Sequence, residues 1–377
     1  MITDPTDKQL WNTPFPALGG RTPRQWLAPE GTFGFTFHAY VKGQYGIRLM
    51  ENLLPWLNFG ADNMNPELLQ YWRARGIEKQ IHQSAQDPDR TWFAYLPIRR
   101  TDPRKPLPVW YINHVKNRDI LDIEAWGFVR YVAQRQILVI TAEDGNNEDI
   151  FQETLKAAAE HYQIDKSRIY LVGHSLSGSC AGRLAVAFAE QLAGLCMLGS
   201  QYGGQNSSAE QVEKIRKCRL PRVDVHGMAE RILPYNKTLG PASAQVYSNI
   251  TPTDMGLEAS FAEQQFWRGL NRCKPIDKGV MAHIDRCSGN PVERKLGIPV
   301  DQSKVFSLGS VRHFAGDILD KEKNPIMRVI GVEGAPHYPS AYAGVLALDY
   351  LSQFSRNPQT GDVEFRPQQE EVHTNVL

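Results

Sequence analysis

From Arg90 onward, short apolar runs alternate with stretches of helical spacing. Thr91 to Pro97 reads as a strand, followed by the turn-rich Arg100-Thr-Asp-Pro-Arg-Lys-Pro106. Leu107 to Asn113 and Ile137 to Thr141 are two further strands. Asp149 to Tyr162 then carries Ile150, Leu155 and Ala158 at helical spacing. Arg168 to Val172 is a short apolar strand that enters a helix rich in small residues, Leu176 to Leu192. Strands follow at Ala193 to Leu198, Pro221 to His226 and Ile326 to Glu333, and Tyr338 to Phe354 is the closing helix. Strands without polar alternation, separated by helices, predict an α/β class with a mostly parallel sheet covered on both faces.

Two segments break this rhythm. The first, residues 1–89, is rich in aromatics, Gly and Pro. Within it Gly31 to His38 alternates like a strand, and Pro66 to His82 reads as a helix that Asn65 can cap. It is an extension packed on the main domain or a small domain of its own, and the extension is favoured. The second, residues 236–324, bears Gly, Pro and Cys and reads as an insertion over the carboxyl edge of the sheet, where ligands bind in such folds. Residues 90–377 form the main domain on this reading.

Composition changes the picture little. At 377 residues with 42% apolar and 22% charged side chains, the chain reads as an ordinary globular protein rather than a disordered one. Its 42 basic and 41 acidic side chains nearly balance, which argues against a chain-wide electrostatic footprint for nucleic acid. No apolar run is long enough to cross a bilayer, and Met1 to Leu10 lacks the charged-then-apolar pattern of a signal peptide. The five cysteines show no CxxC spacing. Cys180 and Cys196 read as small buried hydrophobes, whereas Cys273 and Cys287, in a loop-rich segment, could form a disulfide.

The strongest chemical signal is Ile169-Tyr-Leu-Val-Gly-His-Ser-Leu-Ser-Gly178, an apolar strand running into a small-residue turn and a helix. A serine on such a turn projects its hydroxyl clear of the sheet, at a helix N-terminus whose N–H groups and dipole favour negative charge. Ser175 is therefore the candidate nucleophile, although Ser177 stands where the G-x-S-x-G pattern has glycine. A serine hydroxyl needs a histidine base, and that histidine needs a carboxylate to fix its tautomer. In chain order Ser–acid–His, His337 sits after the late strand ending at Glu333, and Glu230 sits just past the strand Arg222 to His226. Asp224 lies inside that strand and reads as structural or paired with Arg222; Glu333 could also orient His337. Leu176 supplies one backbone donor to an oxyanion hole, and His114 or Val115 is the candidate for the second.

With these segments in order, the chain resembles the polyhydroxybutyrate depolymerase and feruloyl esterase branch of the α/β hydrolases. Ile164-Asp-Lys-Ser-Arg-Ile-Tyr-Leu-Val-Gly-His-Ser175 looks like that branch's approach to its serine, and His226-Gly-Met-Ala-Glu230 is similar to its His-Gly-x-Ala-Asp. Gly334-Ala-Pro-His-Tyr-Pro339 resembles its Gly-Gly-His-x-Trp-Pro, and Phe266-Trp267 to Asn271-Arg-Cys273 resembles its Trp…Asn-x-Cys. The match covers roughly Arg90 to Phe354. It implies an α/β-hydrolase fold and cofactor-free hydrolysis of small or polymeric esters, and it is compatible with secretion of a trimmed mature form while leaving the compartment open. Two other readings stand beside it: a peptidase or amidase on the same scaffold, and a catalytically dead polymer-binding protein. The second is motivated by the imperfect elbow and by Trp56, Trp72, Trp110 and Trp267, for which core packing is the better reading. No HExxH, P-loop or dinucleotide fingerprint is present, so neither metal nor organic cofactor is expected.

Overall fold

The computed structural model describes residues 4–27, 43–59, 64–113, 120–204, 207–228, 257–335, 337 and 339–367. Ten strands form one sheet. They are β1 (Ile77–Gln83), β2 (Thr91–Pro97), β3 (Leu107–Ile112), β4 (Leu138–Ala142) and β5 (Ile164–His174). The second half comprises β6 (Gly194–Leu198), β7 (Arg222–Gly227), β8 (Gln302–Leu308), β9 (Val311–Ile318) and β10 (Met327–Val332). Their spatial order is β1-β2-β4-β3-β5-β6-β7-β10-β9-β8. Every pairing from β4 to β10 is parallel, and both outer pairs of strands run antiparallel.

The strand pleat sends alternate side chains into two cores. Trp110, Ile112, Tyr170 and Val172 join one, whose other wall is α1 (Gly43–Phe59), α2 (Pro66–Arg73) and a late helix at Ala343–Leu351. Val109, Tyr111, Ile169 and Leu171 join the other. That face is covered by α3 (Glu148–His161), α4 (Ser175–Ala187), α5 (Ala209–Cys218), α6 (Leu257–Leu270), α7 (Lys278–Cys287) and α8 (Pro291–Leu296). The late helix is α9. A mostly parallel sheet buried on both faces, with a serine at the β5–α4 elbow, is an α/β-hydrolase fold.

Several expectations change. The helix foreseen over Pro66 to His82 ends at Arg73; Asn65 does cap it, its side chain accepting from the Glu67 N–H. Gly76, at φ +74°, then turns the chain into β1, which pairs with β2 along its whole length. The strand was hidden because Lys79 occupies an inward position, where its ammonium lies 2.9 Å from a Glu124 carboxylate, both side chains fully buried. Tyr95 and Trp72 also donate to Glu124, which satisfies the charge. The sheet thus begins inside the N-terminal segment. The closing helix starts only at Ala343, after Pro339 and the Ser340–Tyr342 turn.

In residues 236–324 the described part, from 257, holds α6, α7 and α8, which pack on one face of the sheet, and β8 and β9, which widen it. Residues 31–38 lie outside the described residues. All five cysteines are free thiols, Cys273 buried and Cys287 exposed, so no disulfide joins them. Trp72, Trp110 and Trp267 are buried in the cores.

Candidate active site

β5 ends at His174, and Ser175 turns the chain into α4 with φ +53°, a left-handed conformation that a serine adopts only under constraint. The constraint is visible in the packing. A Cβ on Gly173 would come within 2.4 Å of the Ser177 carbonyl oxygen and 2.8 Å of the Ala181 Cβ, so only glycine lets strand and helix cross there. Gly178 and Gly182 give the same close approach to Ser200 and Tyr202. Serine fits at position 177 because its small side chain finds both its partners within the turn. Its hydroxyl donates to the His174 carbonyl at 2.7 Å and accepts from the His174 N–H at 3.1 Å, clamping the turn from within.

The elbow is also tied to the neighbouring strand ends. Ser200, just past β6, donates to the Ser175 carbonyl at 2.7 Å. Asn113, just past β3, donates through Nδ2 to the Ser177 carbonyl at 2.8 Å and to Asn146 Oδ1 at 3.0 Å. Neither residue was singled out from the sequence for this role. Asn113 at least ends a strand beside the expected oxyanion loop, while Ser200 carries no local signal.

His337, on the loop between β10 and α9, brings its Nε2 to 2.7 Å from Ser175 Oγ. The two sequence-predicted residues, 162 positions apart, are thus in hydrogen-bond contact. Ser175 is partly exposed, and Leu176 beside it is 52% exposed at the first turn of α4. The remaining predicted site residues, Glu230, His114 and Val115, lie outside the described residues.

The structure assigns other roles to the alternative acids. Glu333 accepts two hydrogen bonds from Arg312, at 2.8 and 2.6 Å, and that pairing holds its carboxyl below the usual carboxylate range. Asp224 accepts from Arg222 Nε at 2.8 Å inside the sheet, and Arg222 also donates to Glu263 of α6. Burial raises Asp224, against the pull of Arg222, to about 7. Burial, with Arg222 and His337 adding to it, lowers the nearby His226 to about 3, so that ring is neutral at ordinary pH. Among the described residues no group of three or more His, Cys, Asp or Glu side chains is placed to hold a metal ion, and no helix is long and apolar enough to cross a membrane.

The fold and the elbow define an α/β-hydrolase scaffold carrying a serine–histidine pair. No protein-family model and no curated protein matches the sequence. Among solved structures, a thermostable esterase is similar over 40% of this chain and 46% of its own length, at 16% identity and a TM-score of 0.32. This chain therefore spans less than half of that protein. A ferulic acid esterase aligns over 40% of this chain and 78% of its own, at 13% identity and a TM-score of 0.32. The feruloyl esterase module from Clostridium thermocellum, an S954A mutant complexed with sinapinate, aligns over 49% and 72%, at 15% identity and a TM-score of 0.35.

Proposed function

We propose that this protein is a serine hydrolase that cleaves carboxylic esters by two-step acyl transfer. The observation that carries the reading is the 2.7 Å approach of His337 Nε2 to the hydroxyl of Ser175, itself held at positive φ on a strand-to-helix turn. A strained serine exposed at a helix N-terminus and bonded to an imidazole is the arrangement that activates a hydroxyl as nucleophile.

Ser175 Oγ attacks the ester carbonyl carbon as its proton passes to His337 Nε2. The resulting oxyanion accepts from the Leu176 N–H and from a second donor at His114 or Val115. Collapse of this intermediate breaks the carbonyl–alkoxy bond, and His337 gives its proton to the departing alcohol. Water then attacks the acyl-serine, losing a proton to His337; collapse restores the Ser175 hydroxyl and releases the acid. Glu230 is the carboxylate assigned to the His337 Nδ1–H. The substrate class is an ester, small or polymeric. The esterase-like motifs favour it over an amide.

The polymer-binding reading loses the support of Trp72, Trp110 and Trp267, which are buried and present no aromatic platform.

The test is hydrolysis of p-nitrophenyl acetate and butyrate by the wild type and Ser175→Ala, with fluorophosphonate labelling located by mass spectrometry. Turnover lost in the variant, by about 10³-fold or more, with label on Ser175, is the expected result. A folded wild type without turnover or label would overturn it.

A further inference from the structure

We infer that His174, the residue preceding the serine, is a positioning residue that holds the main chain of His337 within reach of Ser175 through an Nε2–H···O=C hydrogen bond; the inference rests on the hydrolase reading above. His174 Nε2 lies 2.8 Å from the His337 carbonyl oxygen. A carbonyl oxygen only accepts, so Nε2 carries the proton. That nitrogen is therefore unavailable as a base, and His174 is not a second proton acceptor for the serine through it.

The side chain is held as a rigid strut. It is 3% exposed, with Trp126 packed edge-to-face at 5.3 Å and the His337 ring at 4.9 Å. Its backbone is held equally firmly, since both its N–H and its carbonyl are bonded to the Ser177 hydroxyl. The contacts close a ring: Ser175 Oγ meets His337 Nε2, the His337 carbonyl meets His174 Nε2, and His174 is joined to Ser175 by a peptide bond. The nucleophile's neighbour in the chain thereby sets the distance to the base. Without the strut, the His337 carbonyl loses a contact that is covalently tied to the serine.

Two substitutions separate hydrogen bonding from packing. His174→Phe keeps a ring against Trp126 but removes the donor. His174→Gln removes the ring but places an amide N–H at the same distance along the side chain as Nε2. Both are assayed for kcat and KM on p-nitrophenyl butyrate from pH 5 to 9, for the rate of fluorophosphonate labelling at Ser175, and for melting temperature. Misplacing a catalytic group by about 1 Å costs up to ~100-fold in rate, so His174→Phe is expected to lower kcat and the labelling rate by ~10–100-fold, with KM within about twofold. His174→Gln is expected to stay within about fivefold of wild type. If His174→Phe does not fold, His174→Met supplies the non-donor variant. Full activity in the non-donor variant, or a loss in His174→Gln as large as in His174→Phe, would overturn the inference while leaving the hydrolase reading intact. A wild type without turnover or Ser175 label would instead remove the hydrolase reading, and this inference with it.

Discussion

The side chain of Asn52, buried on α1, donates a 3.0 Å hydrogen bond to the carbonyl oxygen of Ala341, a residue 289 positions away on the loop that carries His337. Arg130 in turn donates to Asn52 Oδ1 at 2.5 Å and to Glu51 at 3.0 Å. Helix α1 is thus fastened to the same loop that carries His337.

Replacing Asn52 with Leu keeps the volume but leaves the Ala341 carbonyl and one Arg130 donor without this partner. A buried polar group that loses its bond costs about 1–3 kcal/mol. Asn52→Leu is expected to lower stability by that amount in urea titration and to reduce ester turnover more than it changes KM. A variant with unaltered stability and turnover would show that α1 merely covers the core.

Restoring glycine at position 177 should weaken the protein. Ser177→Gly removes both hydroxyl bonds to His174 and adds a glycine to the first turn of α4. Their summed effect is a loss of about 1–2 kcal/mol. Because Ser175 keeps its own packing, turnover at temperatures well below melting is expected to fall by less than about tenfold. Calorimetry alongside the esterase assay measures both quantities.

The Lys79–Glu124 pair offers a sharper contrast. With both side chains fully buried, removing one partner strands the other, at a cost of about 3–5 kcal/mol for Lys79→Met or Glu124→Gln alone. The double variant should recover part of that loss, because no uncompensated charge remains. A double-mutant cycle with additive losses would contradict a coupled pair.

Asp224 and Glu263 share the single guanidinium of Arg222 inside the protein. Burial raises both carboxyls, and the charge of Glu263 adds to the rise of Asp224 from 3.8 to about 7. A folded-state value above the unfolded one means the folded protein binds the extra proton. This contribution to stability is therefore complete below about pH 4 and is lost as pH rises through about 7. Asp224→Asn should flatten the slope of melting temperature against pH over that window. An unchanged slope would assign it to other groups.

Much of the architecture is written in local pattern. The apolar runs at Leu107, Arg168, Ala193, Pro221 and Ile326 announce strands because a parallel strand buried on both faces has no polar side to disguise it. The elbow at Gly173 to Gly178 was legible for a similar reason: a strand, small residues and a helix follow one another directly. Chain order singled out His337. β1 escaped notice because its inward position 79 is a lysine, and a buried ion pair erases the alternation on which strand recognition depends.

What sequence alone determined, then, was the succession of the central strands and helices and the candidacy of Ser175 and His337, because both arise from short-range periodicity, turn geometry and chain order. Only the tertiary structure decided that His337 stands 2.7 Å from Ser175, that Ser200 and Asn113 bond to the elbow, and that His174 and Asn52 bond to the carbonyls of His337 and Ala341. It also decided that Trp72, Trp110 and Trp267 lie inside. Each of these depends on atoms brought together across scores or hundreds of residues by packing on the sheet, and no local pattern of residue types encodes such a distance.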